Sequence, residues 1–307
     1  MKKTLRIVSR TSKLALLQAE LVRSQLIALY PGLAIEIISI KTEGDKLIDI
    51  PLHKMGGKGL FVKALQDYLL TKKADLAVHS VKDMPAELPE GLTLAAILER
   101  EDPRDVFVST KFAHLQELPA KARVGTSSLR RQTQLNRLRS DLILEPLRGN
   151  VDTRLTKLLS GQYDALILAA AGLQRLNEQA SIRHYFSPEE MLPAIGQGAL
   201  GIECRSNDKN TLRLIQPLHH LPTAYCVLAE RTISATLGGG CQLPLAGLAT
   251  LQSDHSLQLT SRVGMPDGSR LIGVTLNGSK ESAISLGQAV AKALLDQGAE
   301  SILKACR

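Results

Sequence analysis

The 307-residue chain contains no tryptophan, and all aromatic residues together make up only 3% of it. Proteins that bind single-stranded nucleic acid stack the bases on aromatic side chains, so this scarcity argues against that class. No apolar run approaches the roughly 18 residues that would cross a membrane. The apolar stretch from Leu5 to Val8 is interrupted by Arg6 and is too short for a secretory signal. We therefore expect a cytoplasmic protein that acts without a membrane or a nucleic acid.

Cysteine and histidine are also scarce, with four and seven residues respectively, and neither shows the spacing of a metal site. We expect no metal, and no disulfide in a chain without a secretory signal. One cysteine nevertheless stands in an unusual context, because Cys241 directly follows three glycines in the segment LGGGCQLPLAG. A structural cysteine usually packs like a small apolar residue inside a strand or helix. The glycines instead predict an open turn with room for a bulky group beside the sulfur.

Basic residues outnumber acidic ones by 38 to 30, which gives a net charge of +8. The positions of the apolar residues predict the strands and helices on which these charges lie. Short apolar strands alternate with amphipathic helices over the first two thirds of the chain, which predicts an α/β fold with largely parallel sheets. Ser12, for example, is expected to cap a helix whose apolar face carries Leu14, Leu17, Leu21 and Ala28.

Two segments interrupt this pattern: the charged run EREDPRD at 99–105, and LPAIGQGALGIECR at 192–205, which contains a Pro/Gly stretch followed by a strand. Two such linkers predict that the chain crosses from a first α/β lobe to a second lobe and then returns. After about residue 220 a helix, three strands and a closing helix are typical of a small α+β domain. The expected domains are a first lobe at 1–98 and 199–216, a second lobe at 104–192 and a C-terminal domain at 221–307.

Basic residues follow the predicted strands where an open α/β sheet binds its ligands, in a cleft expected between the two lobes. Arg130, Arg131 and Arg154 fall in the first turns of predicted helices, where acidic residues are usually preferred. Since guanidinium groups pair bidentately with carboxylates and phosphates, the set predicts a ligand that carries many negative charges. The alternative is that each arginine forms a surface salt bridge. The set comprises Arg10, Lys82, Arg130, Arg131, Arg148, Arg154 and Arg175.

One acidic residue, Asp83, falls among these cations after the predicted strand DLAVHS. It is either an N-cap or turn residue ahead of Pro85 or an acid catalyst or a stabiliser of a cationic intermediate. His79 in the same strand is expected to be a packed residue. The polar, glycine-rich stretch at 42–59 is too long for an ordinary connection, and we expect it to form a flap over the cleft.

In their order along the chain, these segments closely resemble the porphobilinogen deaminase family. The resemblance is carried by SRTSKLALLQA, GGKGLFVKALQ, DLAVHSVKDMP, EREDPRDVFVS, VGTSSLRRQTQL, LRGNVDTRL, YDALILAAAGL, LPAIGQGALGIECR and GGCQLPLAG. It implies two lobes like those of type II periplasmic binding proteins and a small C-terminal domain that carries the cysteine. It also implies a monomeric transferase that joins four porphobilinogen molecules head to tail into the linear tetrapyrrole hydroxymethylbilane, with release of ammonia.

The resemblance further implies a dipyrromethane cofactor joined to Cys241 by a thioether, and Asp83 as the catalytic residue. Each pyrrole carries an acetate and a propionate, which would explain the arginines. Contacts with the cofactor are implied for Ser80, Lys82, Thr126, Ser128, Arg130 and Arg131. Contacts with the substrate are implied for Arg10, Ser12, Arg148, Arg154 and Arg175. Gly238 departs from the family, since many members have a glutamate there.

Two other classes of function stay open from the residues alone. A two-lobed anion-binding receptor or regulator domain would share the fold and the arginines, but it would have no use for Cys241. Nucleic-acid binding rests on the net charge alone.

Overall fold

The computed structural model describes residues 4–42, 62–239 and 243–306. The stretch that the sequence predicts to be a flap lies outside these residues except for Thr42, and Cys241 also lies outside them. Contacts along the chain define two compact units. The first combines Met1–Arg100 with Ala199–Ala224, and the second combines Glu101–Gly198 with Tyr225–Arg307.

The first unit contains a sheet of five strands packed against helices. Its elements are β1 (Thr4–Arg10), α1 (Lys13–Leu29), β2 (Ala34–Ile40), α2 (Lys63–Leu70), β3 (Leu76–Ser80), β4 (Leu92–Ile97), β10 (Leu200–Arg205) and α6 (Lys209–Ile215). The strand order is β2-β1-β3-β10-β4. Strand β1 is parallel to both of its neighbours, whereas β10 is antiparallel to β3 and to β4.

The second unit contains a sheet of the same kind. Its elements are β5 (Asp105–Val108), β6 (Arg123–Gly125), α3 (Leu129–Leu138), β7 (Ile143–Glu145), α4 (Val151–Leu159), β8 (Ala165–Ala169), α5 (Ala170–Arg175) and β9 (Ile182–Tyr185). The strand order is β7-β6-β8-β5-β9. Here β6 is parallel to β7 and β8, and β5 is antiparallel to β8 and β9.

The two sheets therefore share one topology, which confirms the predicted α/β class with two similar lobes. They are mixed rather than largely parallel, because the fourth strand of each sheet runs against its neighbours. The physical reason is that β5 and β10 each follow a linker. Two strands of one sheet that are joined by a crossover connection run parallel. A strand that enters the sheet through a linker from the other lobe is under no such requirement.

The second unit also contains the C-terminal α+β region. Strands β11 (Leu245–Leu251), β12 (Ser256–Gly264) and β13 (Leu271–Ser279) form an antiparallel sheet in that order. Helices α7 (Leu221–Thr236), α8 (Ala283–Asp296) and α9 (Ala299–Ala305) contribute to the same hydrophobic core. The division into three domains stays a prediction. No helix in the described ranges is long and apolar enough to cross a membrane.

The prediction for helix α1 was correct at its start and wrong for its buried face. Ser12 Oγ accepts a hydrogen bond from Ala15 N at 3.3 Å and caps the helix as expected. Leu17 and Leu21, however, are 39% and 37% exposed. The buried residues are Gln18, Ala19, Val22 and Leu26. Leucines occur on both sides of this helix, so apolar periodicity alone could not choose the face that packs on the sheet.

Candidate active site

A pocket in the first unit lies at the carboxyl ends of β1 and β3, with an empty volume of about 460 Å³ that includes open solvent. Four residues proposed from the sequence line it, namely Arg10, Ser12, Ser80 and Asp83. The other lining residues are Leu14, Ala15, Gln18, Val62, Leu65, Val78 and His79. The structure thus gathers polar groups from two strand ends beside apolar groups from the starts of α1 and α2.

The first turns of α1 supply polar groups to this pocket. Ser12 caps the helix, and the buried side chain of Gln18 donates from Nε2 to Ser80 Oγ at 3.0 Å. This bond ties the helix to the end of β3. Because the N-terminus of a helix carries free N–H groups and a partial positive charge, this end of α1 favours an anionic group in the pocket.

Asp83 ends a short 3₁₀ turn, Val81–Asp83, that directly follows β3. Val81 N donates to Ala199 O at 3.0 Å and Met84 N donates to Val81 O at 3.1 Å, which fixes the backbone on both sides of Asp83. The Asp83 side chain is exposed and makes no hydrogen bond or ion pair within the described ranges. Asp83 thus lies in a turn, as one alternative has it, but its side chain caps no helix among the described residues. Lys82 is half-buried on the same turn.

In the second unit, Arg130 and Arg131 share one buried carboxylate. Arg130 Nη1 donates to Asp105 Oδ2 at 2.6 Å and to Leu192 O at 2.8 Å. Arg131 Nη2 donates to Asp105 Oδ1 at 2.7 Å, and its Nε donates to the same oxygen at 3.1 Å. Asp105 is fully buried, and the two arginines are 4% and 7% exposed.

The charges in this cluster keep Asp105 ionised. Burial by itself would raise the pKa of Asp105, but the charges and hydrogen bonds of Arg130 and Arg131 hold that pKa far below its usual range. Burial lowers the pKa of Arg130, and the carboxylate of Asp105 opposes this effect. Two guanidinium groups against one carboxylate leave one positive charge uncompensated among these three residues.

Arg175 is also held by an acidic partner. Its Nε donates to Glu101 Oε1 at 3.1 Å, and its Nη2 donates to Gly198 O at 2.9 Å. Burial lowers the pKa of Arg175, and Glu101 opposes this effect. For Arg130, Arg131 and Arg175 the structure therefore shows the ion pairs that the sequence left as the alternative, although these pairs are more buried than surface salt bridges. Their contacts with a ligand stay predictions.

Arg148 and Arg154 lie around the start of α4 and differ from the other arginines. Arg154 Nε donates to Gly149 O at 2.8 Å. Gly149 has φ of 104°, and a Cβ there would lie 2.8 Å from Thr153 Cγ2, so the turn requires glycine. The half-buried side chain of Arg148 has no hydrogen-bond or ion-pair partner in the described part of the chain. Its guanidinium group is therefore available to an anion.

Thr126 and Ser128 build the start of α3. Thr126 Oγ1 accepts a hydrogen bond from Ser128 N at 3.2 Å, and Ser128 Oγ accepts one from Arg131 N at 3.4 Å. Ser128 therefore caps α3 in the second unit as Ser12 caps α1 in the first. Their contacts with a cofactor stay predictions.

The described residues on either side of Cys241 are firmly attached to the C-terminal core. Leu237 and Leu243 are both buried in that core. Gly239 N donates to Ser234 O at 2.8 Å and Gly238 N donates to Ala235 O at 3.2 Å, the two bonds of a Schellman motif that ends α7. Gly238 has φ of 61°, a conformation that costs a glutamate more than a glycine. The departure from the family at this position therefore suits the helix end found here.

Two polar residues that position the arginines were missed from the sequence. Asp105 belongs to the run predicted as a linker, yet it is the first residue of β5. Gln197 Nε2 donates to Asp105 Oδ1 at 3.0 Å and to Pro103 O at 2.7 Å. The available signal was the pair of arginines in the first turn of α3, because two buried cations require an acidic partner.

Two α/β sheets of the same strand order, followed by a small α+β region, place the chain in the class of two-lobed α/β proteins. The family model described as "Porphobilinogen deaminase, dipyromethane cofactor binding domain" matches residues 5–213. A second model, "Porphobilinogen deaminase, C-terminal domain", matches residues 224–296. The chain belongs to the porphobilinogen deaminase family.

Several solved structures are similar in fold. One is a putative methionine-binding lipoprotein from Bacillus subtilis, with 11% identity over 71% of this chain and 91% of that chain and a TM-score of 0.45. Another is a periplasmic substrate-binding protein of an ABC transporter from Coxiella burnetii, with 14% identity over 74% and 94% of the two chains and a TM-score of 0.44. A third is the periplasmic aliphatic sulphonate binding protein from Escherichia coli, with 13% identity over 97% and 88% and a TM-score of 0.43.

The family fixes the activity and disfavours the non-catalytic receptor that the sequence left open. The chain is a transferase of porphyrin and heme biosynthesis that polymerises porphobilinogen on a dipyrromethane cofactor. The predicted family, activity and cofactor are thereby confirmed.

Proposed function

We propose that Asp83 is the catalytic residue for the joining of porphobilinogen units. The observation that carries this proposal is an exposed carboxylate, without a partner among the described residues, beside a pocket that Arg10 and Ser12 also line. Cationic and hydroxyl donors suit the acetate and propionate arms of a pyrrole. The carboxylate suits the part of the substrate where positive charge develops.

The chemistry explains why one carboxylate is useful in every round. When the C–N bond of the protonated aminomethyl group (–CH2–NH3⁺) breaks, ammonia leaves with the electron pair and the remaining methylene pyrrole is a cation. The α-carbon of another pyrrole then forms a bond to this methylene carbon, and that α-carbon loses its proton. Asp83 stabilises the cation through the ring N–H and receives or passes on the proton.

We assign the arginines to the carboxylates of the ligands. Arg148 is supported by its lack of a partner in the described part of the chain, and Arg130 by the uncompensated charge it shares with Arg131 and Asp105. These features fit a cofactor that carries several carboxylates. The residues proposed to hold the dipyrromethane are Ser80, Lys82, Thr126, Ser128, Arg130 and Arg131. Those proposed to bind substrate are Arg10, Ser12, Arg148, Arg154 and Arg175.

We assign the attachment of the cofactor to Cys241. A thiolate is a good nucleophile toward an electrophilic methylene carbon, and the short segment around Cys241 is bounded by Leu237 and Leu243, which are fixed in the core. When bound, the dipyrromethane supplies the pyrrole end to which porphobilinogen is first joined. We further propose a three-domain, cytoplasmic monomer that needs no metal, membrane or nucleic acid.

Intact-protein mass spectrometry tests this assignment. Protein expressed in a host that makes porphobilinogen should be heavier than its sequence by one dipyrromethane, and the excess should map to Cys241. The Cys241→Ala variant should have the bare sequence mass. The Cys306→Ala variant is the matched control, because it removes another cysteine and should keep the excess. An unmodified wild-type mass, or an excess located on a different residue, would refute the assignment.

A further inference from the structure

A buried histidine lies at the wall of the Asp83 pocket and has no part in the roles assigned so far. His79 in β3 lines the pocket and is 6% exposed. Its Nε2 lies 2.9 Å from Oε2 of Glu203 in β10, and Glu203 is fully buried. This contact has an ion-pair distance but is not a hydrogen bond, and neither atom has a hydrogen-bond partner among the described residues.

The other carboxylate oxygen of Glu203 accepts a hydrogen bond. Gln66 in α2, itself buried, donates from Nε2 to Glu203 Oε1 at 2.9 Å. A buried carboxyl group is costly unless donors reach it, and His79 Nε2 is the nitrogen that lies close enough to supply one to Oε2. We therefore assign the ring proton of His79 to Nε2, which faces Oε2.

This assignment determines the role of the other ring nitrogen of His79. With the proton on Nε2, the neutral ring presents Nδ1 as an acceptor. Nδ1 has no partner in the described ranges, and the residue that bears it lines the same pocket as Asp83. A purely structural histidine would normally use both ring nitrogens within the fold.

We infer that His79 Nδ1 accepts a hydrogen bond from an N–H group of bound porphobilinogen, and that Glu203 and Gln66 are positioning residues for His79. The inference rests on the proposed role of the Asp83 pocket as the substrate site. It matches the chemistry of the ligand, because a pyrrole unit has carboxylates that need donors and nitrogens that need acceptors. Arg10 and Ser12 supply donors, whereas Asp83 and His79 supply acceptors.

Two variants of His79 separate the roles of its two nitrogens. His79→Asn keeps a hydrogen-bonding atom near the position of Nδ1 and loses the contact with Glu203. His79→Gln keeps a group that reaches toward Glu203 and loses the one near Nδ1. We expect His79→Gln to unfold near the wild-type temperature but to lose on the order of 3- to 10-fold in kcat/KM, the usual loss for one hydrogen bond between neutral groups. His79→Asn should be less stable but more active than His79→Gln.

The assay uses cofactor-loaded enzyme, checked by intact mass, and porphobilinogen as the substrate. A purely structural role predicts the reverse order of activities, so equal rates or a faster His79→Gln enzyme would overturn the inference. If His79→Asn does not fold, the ¹⁵N signals of His79 in the Asp83→Asn enzyme provide the test. Addition of porphobilinogen should shift Nδ1, and an unchanged Nδ1 would equally overturn the inference.

Asp83→Asn measured in the same assay keeps the two proposals apart. If Asp83→Asn is as active as the wild type, the proposed function fails whatever the His79 variants do. If Asp83→Asn is inactive while His79→Gln is fully active, only the inference about His79 fails.

Discussion

The two five-stranded sheets have the same strand order, yet they use an acidic residue at the carboxyl edge in opposite ways. In the first unit, Asp83 is exposed and has no partner among the described residues. In the second unit, Asp105 is fully buried and binds two arginines. The topology provides the same edge twice, and the neighbouring side chains decide whether a carboxylate there is free to react or serves to hold cations in place.

The largest effect on stability should come from breaking the arginine cluster. Asp105→Ala leaves two buried guanidinium groups without their carboxylate, and loss of one partner of a buried ion pair costs about 3–5 kcal/mol in the free energy of unfolding. Urea unfolding measures this cost. Asp141→Ala is the matched control, because Asp141 pairs with Arg139 at an exposed site and its loss should change little. If the two variants were equally stable, Asp105 would not hold the arginines in place, and the proposed contrast between Asp105 and Asp83 would be wrong.

An intermediate effect, on substrate handling alone, is expected at Arg148. Because this side chain has no partner among the described residues, Arg148→Leu should leave the unfolding temperature unchanged. Loss of a contact with a substrate carboxylate should lower kcat/KM on the order of 10- to 100-fold. Arg175→Leu is the comparison, since it also leaves Glu101 without its cation and should lower both quantities. A stable Arg148→Leu enzyme with wild-type kinetics would exclude a ligand role for this residue.

The smallest effect should be the same in both units. Ser12 and Ser128 cap the helices that follow β1 and β6, the corresponding strands of the two sheets. Replacing either serine by alanine should cost about 1 kcal/mol of stability, the usual value for an N-cap. Ser→Thr replacements keep the hydroxyl group and should therefore retain most of the stability. Chemical denaturation measures the difference. A cost at only one of the two positions would show that the sheets are less alike locally than their topology suggests.

The sequence was sufficient where local signals determine the structure. Apolar strands followed by polar residues predicted that Arg10 and Asp83 lie at strand ends, and the structure brings both to one pocket. It was insufficient where a partner is distant in the chain. Asp105 lies 25 residues before Arg130, and only the folded sheet brings them together. Glu203 and His79 are farther apart still, and their contact depends on the pairing of β10 with β3.

The buried face of α1 shows a different limit. Both sides of this helix carry apolar residues, and the sheet packs against the side with the smaller ones, which include Ala19 and Val22. Close packing of a helix on a sheet depends on the shapes of both surfaces. The apolar periodicity of α1 describes the helix surface alone and carries no information on the sheet.

The central claim is that the Asp83 carboxylate acts in catalysis and not in folding. The most direct test is the steady-state rate of porphobilinogen consumption by Asp83→Asn, measured on protein that carries the cofactor and unfolds at the wild-type temperature. Asparagine keeps the size and the hydrogen-bonding capacity but removes the charge, so the rate should fall at least ~100-fold. Asp83→Glu, which keeps the charge at a displaced position, should retain more activity. An Asp83→Asn enzyme within a few fold of the wild type would contradict the claim.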